Sequence, residues 1–361
     1  MSKTPWLMDS PQSATNIKAD TPLHEYLVRL TRGENLRFKE SVAFFRAITA
    51  KDANPVQIAG ALVALSSKGE TFEELAGMAR VMREQAFQIS THHNNFIDIS
   101  GTGSSSSKTF NVSTAAALVT AGAGLPVAKH SSRAGMSKTG SADALSQLDV
   151  NVSGDQTLAQ ACLNGAGICF MFAPKFHPTL LRVGEVKANL GIRSSLNLLG
   201  VLANPLNPPR QLLGVWHRSL VEPMAQALAT LGVKKAWVVH GSDGLDEITL
   251  NGRTFVAEVV GNKIKTFQIS PEDFGLKSSE IDHLEADSPA SSAKTISEIL
   301  ESKRRDQARS LVVINAAAAL LIAGKSVDPM QAARLAEQSI DSGSARTKLD
   351  RLIQTTNKKQ L

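Results

Sequence analysis

The chain of 361 residues is 42% hydrophobic and 20% charged, which is typical of a globular protein and argues against disorder. Its net charge of +6 suits an anionic ligand but does not by itself indicate nucleic acid. No apolar run approaches the roughly 20 residues needed to span a bilayer. The polar residues 1–21 lack a signal-peptide core, which favours a flexible leader on a cytoplasmic protein. Cys162 and Cys169 are predicted to be reduced core thiols, because they show no disulfide or metal-binding spacing.

Residues 22–90 are predicted to form a small α-helical subdomain, which later helical segments could join. The segment TPLHEYLVRLTRG carries apolar residues at helical spacing. Asn54 is a candidate N-cap and Pro55 suits the first position of the helix that follows. Thr71 and Glu74, three residues apart, match a capping box. Four helices without an intervening strand are therefore expected.

Residues 91–361 are predicted to form a large α/β domain with a mainly parallel central sheet, because strand and helix patterns alternate. The predicted strands are FIDIS, LPVAKHSS, ICFMFAP, AWVVHG and the pair FVAEVVG and KIKTFQIS, with DVNVS short and extended. Helices are predicted between them and again after residue 305. LNPPRQ at 206–211 is interpreted as a Pro-rich connector, and 276–295 as a loop-rich region.

A glycine- and serine-rich loop, GTGSSSSKTFNVST, joins the first predicted strand to a helix. In open α/β sheets, ligands bind beyond the carboxyl ends of the strands. Gly101 and Gly103 allow close approach of a phosphate. Asn111, Ser113 and Thr114 place donors at the electropositive start of the helix. A plain strand-turn-helix with a Ser or Thr cap is the alternative.

Two further loops follow predicted strands. In KHSSRAGMSKTGSAD, the cluster of Lys129, His130 and Arg133 forms either an anion pocket or a solvated basic loop. In HGSDGLDEITL, the adjacent acids Asp246 and Glu247 either reach a cation such as Mg²⁺ or are solvated surface. Together the three loops suggest a metal-bound pyrophosphate substrate.

The chain resembles the anthranilate phosphoribosyltransferase family, which shares its fold group with the pyrimidine nucleoside phosphorylases. The resemblance covers nearly everything after about residue 22, including PVQIAGALVALSSKGETFEELAGMARVM, the glycine-rich loop, KHSSR…GSAD, GICFMFAPKFHP, LNLLGVLANP, VVHGSDGLDE and INAAAALLIAGK…SIDSGSA. It implies a substrate site between a helical subdomain and an α/β domain, and a homodimer through the helical part. The implied reaction transfers ribose 5-phosphate from phosphoribosyl pyrophosphate (PRPP) to the amine of anthranilate, as in tryptophan biosynthesis, and releases pyrophosphate.

The resemblance also implies three groups of site residues. The PRPP-binding group is Gly101, Gly103, Ser104, Ser105, Thr109, Asn111, Ser113, Thr114, Lys129, Ser137 and Ser141. The Mg²⁺ ligands, direct or through water, are Ser113, Asp246 and Glu247. The acceptor-binding group is His130, Ser132, His177, Lys187 and Arg193. No acid or base is assigned, because charge developing in the transition state needs electrostatic stabilisation more than proton transfer.

Departures from the family pattern affect both substrates. Gly103-Ser104-Ser105 replaces Gly-Gly-Asp, and Met136 replaces a serine, which should weaken or redirect pyrophosphate binding. Ser132 replaces an asparagine that contacts anthranilate, and Lys187 replaces an arginine that pairs with its carboxylate. Lysine keeps the charge but lacks the bidentate fork. Arg193 either supplies that fork or is a structural residue behind the site.

Two other functions remain open. A non-enzymatic relative that binds nucleic acid would explain the lost loop residues and the positive charge, although aromatic residues are only 5% and no stacking platform is evident. A nucleoside phosphorylase activity would fit SSRAGMSKTG, which faintly matches that branch's phosphate loop. The retained Asp-Glu pair and the carboxy-terminal segment argue against it.

Overall fold

A computed structural model describes residues 22–103, 105, 108–131 and 139–358. The first part is helical, with α1 Pro22–Thr31, α2 Phe38–Ile48, α3 Pro55–Lys68 and α4 Phe72–Gln85. Both predicted caps are present, since the Asn54 side chain accepts a hydrogen bond from the Val56 amide and Thr71 forms a capping box with Glu74.

The next part alternates between strands and helices. Its elements are β1 Ile97–Gly101, α5 Val112–Gly122, β2 Val127–Ser131, α6 Ser141–Gln147, α7 Gln156–Ala166, β3 Ile168–Phe172, α8 Ala173–Phe176, α9 Leu181–Leu190, α10 Ser195–Leu202, β4 Arg210–Gly214, α11 Val221–Thr230, β5 Lys235–Gly241, β6 Thr254–Val260 and β7 Lys263–Ile269. Four helices follow, namely α12 Pro289–Leu300, α13 Gln307–Ile322, α14 Pro329–Asp341 and α15 Ser344–Asn357.

The strands that the structure describes form one seven-stranded sheet in the order β3-β2-β1-β4-β5-β6-β7. The strands from β3 to β5 are parallel neighbours. Strands β6 and β7 extend the sheet as the predicted antiparallel pair. The predicted fold class, a helical N-terminal part and a large α/β domain with a mainly parallel sheet, is confirmed.

Three local predictions were wrong. The segment 206–211 was interpreted as a connector, yet Arg210 begins β4, which lies between β1 and β5. A short strand with both faces buried shows no alternation of apolar and polar residues. The prolines just before it favoured the interpretation as a connector. Residues 149–153 form a turn rather than a strand, with Asp149 at φ 63°. Helix α12 begins within the region interpreted as loop-rich.

Two hydrophobic clusters cover the two faces of the sheet. On β5, Trp237 and Val239 belong to the cluster that contains α5 and α13, whereas Ala236 and Val238 belong to the other. The second cluster joins the sheet to α10, α11 and the N-terminal helices. Cys162 and Cys169 are buried free thiols, as predicted. No helix in the described part of the chain is both long and apolar enough to cross a membrane.

Candidate active site

The acidic loop after β5 packs directly on the ends of two parallel strands. A Cβ atom at Gly214, the last residue of β4, would lie 1.6 Å from the carbonyl oxygen of Asp246. A Cβ atom at Gly101, the last residue of β1, would lie 2.8 Å from Oδ2 of the same aspartate. Both glycines therefore make room for the acidic loop at the carboxyl edge of the sheet.

The two acids contact the glycine-rich loop and the helix that follows it. Oδ2 of Asp246 accepts a hydrogen bond from the Gly103 amide at 2.6 Å. Oε1 of Glu247 accepts one from the Ser113 amide at 2.9 Å. Ser113 lies in the first turn of α5, where free backbone amides and the helix dipole favour negative charge. The structure thus brings the predicted glycines, Ser113 and the acid pair together.

Lys129 of β2 supplies a buried positive charge beside this cluster. Its side chain is 3% exposed, and its Nζ donates to the Ile99 carbonyl at 2.6 Å and to Ser113 Oγ at 3.1 Å. Burial lowers the pKa of this ammonium, while the nearby Asp98 and Glu247 carboxylates raise it. Lys129 therefore fixes a buried positive charge beside the start of α5.

Glu247 is the most perturbed acid of the cluster. Burial, and then the charge of Asp246, raise its pKa to about 8. Its Oε2 is buried without a hydrogen-bond partner among the described residues. A divalent cation would satisfy this oxygen and offset the repulsion between the two acids. Asp246, Glu247 and the Ser113 hydroxyl therefore fit Mg²⁺.

The protein alone does not complete a coordination shell. In the part of the chain that the structure describes, no group of three or more His, Cys, Asp or Glu side chains could hold a metal. This is consistent with Mg²⁺, which is usually bound by one or two carboxylates together with waters and substrate phosphate oxygens.

Asn111 connects the glycine-rich loop to its surroundings. The backbone N–H of Asn111 donates to Ser292 Oγ at 3.0 Å, and the Ser292 hydroxyl donates in turn to the side-chain oxygen Oδ1 of Asn111 at 2.7 Å. Asn111 Nδ2 donates to the Thr139 carbonyl at 3.2 Å, so Asn111 joins two of the predicted phosphate loops. Sequence analysis missed Ser292 because it lies in the region interpreted as loop.

The remaining predicted PRPP-binding residues are distributed along these loops. Ser105 is buried, and so is Thr114 in α5. Thr109 is half-buried, and its hydroxyl donates a hydrogen bond to the Phe110 carbonyl. Ser141 is half-buried at the start of α6. Ser104 and Ser137, together with Ser132 of the predicted acceptor group, lie outside the described residues.

Two histidines of the predicted acceptor group form a buried pair. His177 Nε2 lies 3.1 Å from His130 Nε2, and His130 Nδ1 lies 3.0 Å from the Gly200 carbonyl. Since a carbonyl only accepts, His130 carries its proton on Nδ1, and His177 Nε2 donates to His130. Burial lowers the pKa of His177 to about 4 and lowers that of His130 well below its usual range, with the charge of His177 adding to the second effect.

Of the predicted cations of the acceptor group, Lys187 lies in α9 and Arg193 lies between α9 and α10. The Arg193 guanidinium lies over the Trp216 ring, 5.6 Å from its centroid. The Trp216 amide donates to Thr102 Oγ1 at 3.1 Å, which connects Arg193 to the glycine-rich loop through one residue. Lys187 is half-buried in α9, and burial lowers its pKa.

Asp98 was missed by sequence analysis and lies beneath the site in β1. It is completely buried and accepts a hydrogen bond from Asn204 Nδ2 at 2.9 Å. Burial raises its pKa to about 6, against the opposing effects of Asn204 and Lys129. The sequence did contain a signal for it, because an acid within the apolar run FIDIS indicates a buried carboxylate that needs a polar partner.

Two family models match the chain. A glycosyl transferase family helical bundle domain matches residues 24–86, and a glycosyl transferase family a/b domain matches residues 93–346. Anthranilate phosphoribosyltransferase of Afipia carboxidovorans is 42% identical over 327 residues, which cover 91% of this chain and 96% of that protein. The Rhodospirillum rubrum anthranilate phosphoribosyltransferase is 43% identical over 343 residues, 95% of this chain and 96% of that protein.

Solved structures give the same result. Anthranilate phosphoribosyltransferase from Thermus thermophilus has a TM-score of 0.86 and 36% identity, covering 92% of this chain and 99% of that one. The Saccharomyces cerevisiae enzyme in complex with PRPP and Mg has a TM-score of 0.86 and 26% identity, and the match covers 93% of this chain and 98% of that one. The predicted family is confirmed, and the chain belongs to the anthranilate phosphoribosyltransferase family of glycosyl transferases.

Proposed function

We propose that this chain transfers the 5-phosphoribosyl group of PRPP to the amine of anthranilate and releases pyrophosphate, with Mg²⁺ bound by Ser113, Asp246 and Glu247. Of the three functions that the sequence left open, the family membership favours this one. The observation that carries the proposal is the buried Oε2 of Glu247, which has no hydrogen-bond partner in the described part of the chain and lies beside Asp246 at the electropositive start of α5.

The site residues stabilise charge in this mechanism. Breaking the bond between ribosyl C1 and pyrophosphate builds negative charge on the leaving group. Mg²⁺ would neutralise part of that charge. The first turn of α5 and the Lys129 ammonium, held by Ile99 and Ser113, are already oriented before substrate binds. Preorganised donors in a buried site are strongly stabilising because no reorganisation is needed during the reaction.

The acceptor would be recognised by the predicted group on and around α9. We assign the anthranilate carboxylate to Lys187, which is half-buried, and we assign contacts with the rest of the acceptor to Arg193 and the His130–His177 pair. A lysine offers a point charge in place of a planar fork. Binding of the carboxylate is therefore expected to be weaker than with arginine.

The proposal extends to assembly and location. A homodimer through the N-terminal helices is supported by α3, which presents the apolar Val56 at 79% and Val63 at 39% exposure. Light scattering should give twice the mass of one chain, and Val56→Asp should lower it. A cytoplasmic location is supported by the buried free thiols of Cys162 and Cys169, since unpaired thiols are typical of reducing compartments.

The test combines calorimetry of PRPP binding with an assay of anthranilate-dependent pyrophosphate release. Wild type should bind PRPP only with Mg²⁺, and Asp246→Asn with Glu247→Gln should abolish both signals. The matched control replaces Glu272 and Asp273, adjacent acids on an exposed turn, and should behave as wild type. Failure of wild type to bind millimolar PRPP with Mg²⁺ would overturn the proposal.

A further inference from the structure

Asn315 is a buried polar residue in the middle of the apolar helix α13. Its side chain is 2% exposed. Its Oδ1 accepts a hydrogen bond from the Ile248 amide at 3.0 Å, and its Nδ2 donates to the Ile248 carbonyl at 2.9 Å. Nδ2 also donates to the Leu311 carbonyl at 2.9 Å within the helix. One side chain thus binds both backbone polar groups of a residue 67 positions away.

Ile248 directly follows the acid pair. Its amide belongs to the peptide group that joins it to Glu247, so Asn315 fixes the plane of that peptide against α13. On its other side, the acidic loop is confined by Gly214 and by the hydrogen bond from the Ser113 amide to Glu247. The acid pair is therefore held between the sheet edge and α13.

The same helix supports the other half of the candidate metal site. Helix α13 packs against α5, whose first turn contains Ser113. The neighbours of Asn315 in α13, from Leu311 to Leu320, are buried. A rigid, buried helix thus sets the separation between the acidic loop and the start of α5.

The neighbours of position 315 within α13 are buried and apolar, so an apolar side chain would pack against them. The asparagine amide serves the backbone of the acidic loop, because without it the Ile248 amide and carbonyl would have no hydrogen-bond partner among the described residues. Buried polar groups without partners are strongly unfavourable, so the loop would move towards water.

We propose that Asn315 is a positioning residue that holds Asp246 and Glu247 in register with the start of α5, so that the acids can bind a divalent cation together with a pyrophosphate ester. This inference rests on the proposed function. Asn315 itself touches neither cation nor substrate. It acts on the orientation of residues that do, as the outer partners of metal ligands commonly do.

The test uses Asn315→Leu, which has similar volume but no hydrogen-bonding groups. PRPP binding is measured by calorimetry across a Mg²⁺ titration. The expected result is a Mg²⁺ requirement raised roughly 10- to 100-fold, the usual effect of losing an outer partner of a metal ligand. The control is Ser339→Ala, which removes the buried hydrogen bond from Ser339 Oγ to the Val119 carbonyl, 2.8 Å, elsewhere on α5.

The outcomes separate this inference from the proposed function. Absence of Mg²⁺-dependent PRPP binding in wild type would reject the function itself. Binding by wild type with an unchanged Mg²⁺ requirement in Asn315→Leu would reject only the role of Asn315, as would an equal change in Ser339→Ala. If Asn315→Leu does not fold, Asn315→Asp decides, because it keeps an acceptor for the Ile248 amide while removing the amide donor. A raised Mg²⁺ requirement supports the inference, and an unchanged one overturns it.

Discussion

The carbonyl oxygen of Asp246 occupies the space in which a side chain at Gly214 would lie, only 1.6 Å from an ideal Cβ position. Gly214→Ala should therefore push the acidic loop away from the sheet edge and separate Asp246 from the Gly103 amide. We expect loss of Mg²⁺-dependent PRPP binding, with unfolding free energy reduced by about 1–3 kcal/mol, typical of overpacking. Calorimetry and urea unfolding measure the two effects.

The control for this substitution is Gly165→Ala in α7. A Cβ atom at Gly165 would meet no atom of the described residues within 4 Å, and alanine favours a helix interior by about 1 kcal/mol over glycine. Gly165→Ala should therefore bind PRPP as wild type does and be slightly more stable. Wild-type PRPP binding by Gly214→Ala would show that the acidic loop does not need its position over β4.

The second prediction concerns Glu247→Gln, which removes a charge that is unfavourable unless a cation is bound beside it. Burial, with the charge of Asp246, raises the pKa of Glu247 to about 8. From pH 4.5 to about 8 the folded state keeps this proton and the unfolded state releases it, so stability falls as pH rises. Glutamine should flatten that fall and stabilise the protein without Mg²⁺ by about 1–3 kcal/mol at pH 8.

The same variant should lose PRPP binding, because glutamine cannot supply the anionic ligand. Urea unfolding across pH, without Mg²⁺, measures the stability change, and calorimetry measures the binding. Glu280→Gln, on an exposed residue, should change neither. A Glu247→Gln protein less stable than wild type at pH 8 would mean that Glu247 is not strained by its burial.

Sequence patterns could predict the site where short segments carry the information. A strand followed by a glycine-rich turn and a helix places Gly101, Gly103 and Ser113 at one edge of the sheet, whatever the rest of the chain does. The acid pair follows another parallel strand and reaches the same edge. The capping residues Asn54 and Thr71 were predictable for the same reason, since their partners lie within three residues.

Relationships between distant segments could not be predicted. Strand β4 has no alternation to reveal it, so the close contact between Gly214 and Asp246 was also hidden. Asn315 binds a residue 67 positions away and Ser292 one 181 positions away. A single polar residue in an apolar helix predicts a buried hydrogen bond, but its partner is determined only by how the elements pack.

The third prediction is that Lys187→Arg improves binding of the acceptor. A guanidinium donates two parallel hydrogen bonds to a carboxylate and keeps its charge when buried, whereas burial lowers the pKa of Lys187. We expect the KM for anthranilate to fall about fivefold, equivalent to one net hydrogen bond of about 1 kcal/mol. The kcat and the KM for PRPP should not change.

Steady-state kinetics with each substrate varied in turn measures this effect. Lys325→Arg, an exposed residue after α13, is the matched control and should leave all constants unchanged. An unaltered KM for anthranilate in Lys187→Arg would remove Lys187 from the acceptor site. A fall in both KM values would instead indicate a general change in the site.

The fourth prediction concerns acid stability and the buried His130–His177 pair. Burial lowers the pKa of His177 to about 4. Between pH 6.5 and pH 4, His177 is therefore protonated in the unfolded state and neutral in the folded state. Stability is therefore complete above pH 6.5 and falls as pH decreases, by about 3 kcal/mol for a shift of this size. Protonating His130 would also place two N–H groups opposite each other across the 3.1 Å contact.

His177→Gln tests this because a glutamine amide can still donate to His130 Nε2 but does not titrate. Urea unfolding from pH 4 to 8 should show a smaller acid loss for the variant than for wild type, and His283→Gln, on an exposed residue, should follow wild type. Asp98 acts in the opposite direction, since burial raises its pKa to about 6 and its contribution to stability grows as pH falls. Asp98 is present in both proteins, so its contribution cancels when the unfolding free energy of wild type is subtracted from that of the variant. Parallel profiles of unfolding free energy against pH would show that His177 is not held neutral by its burial.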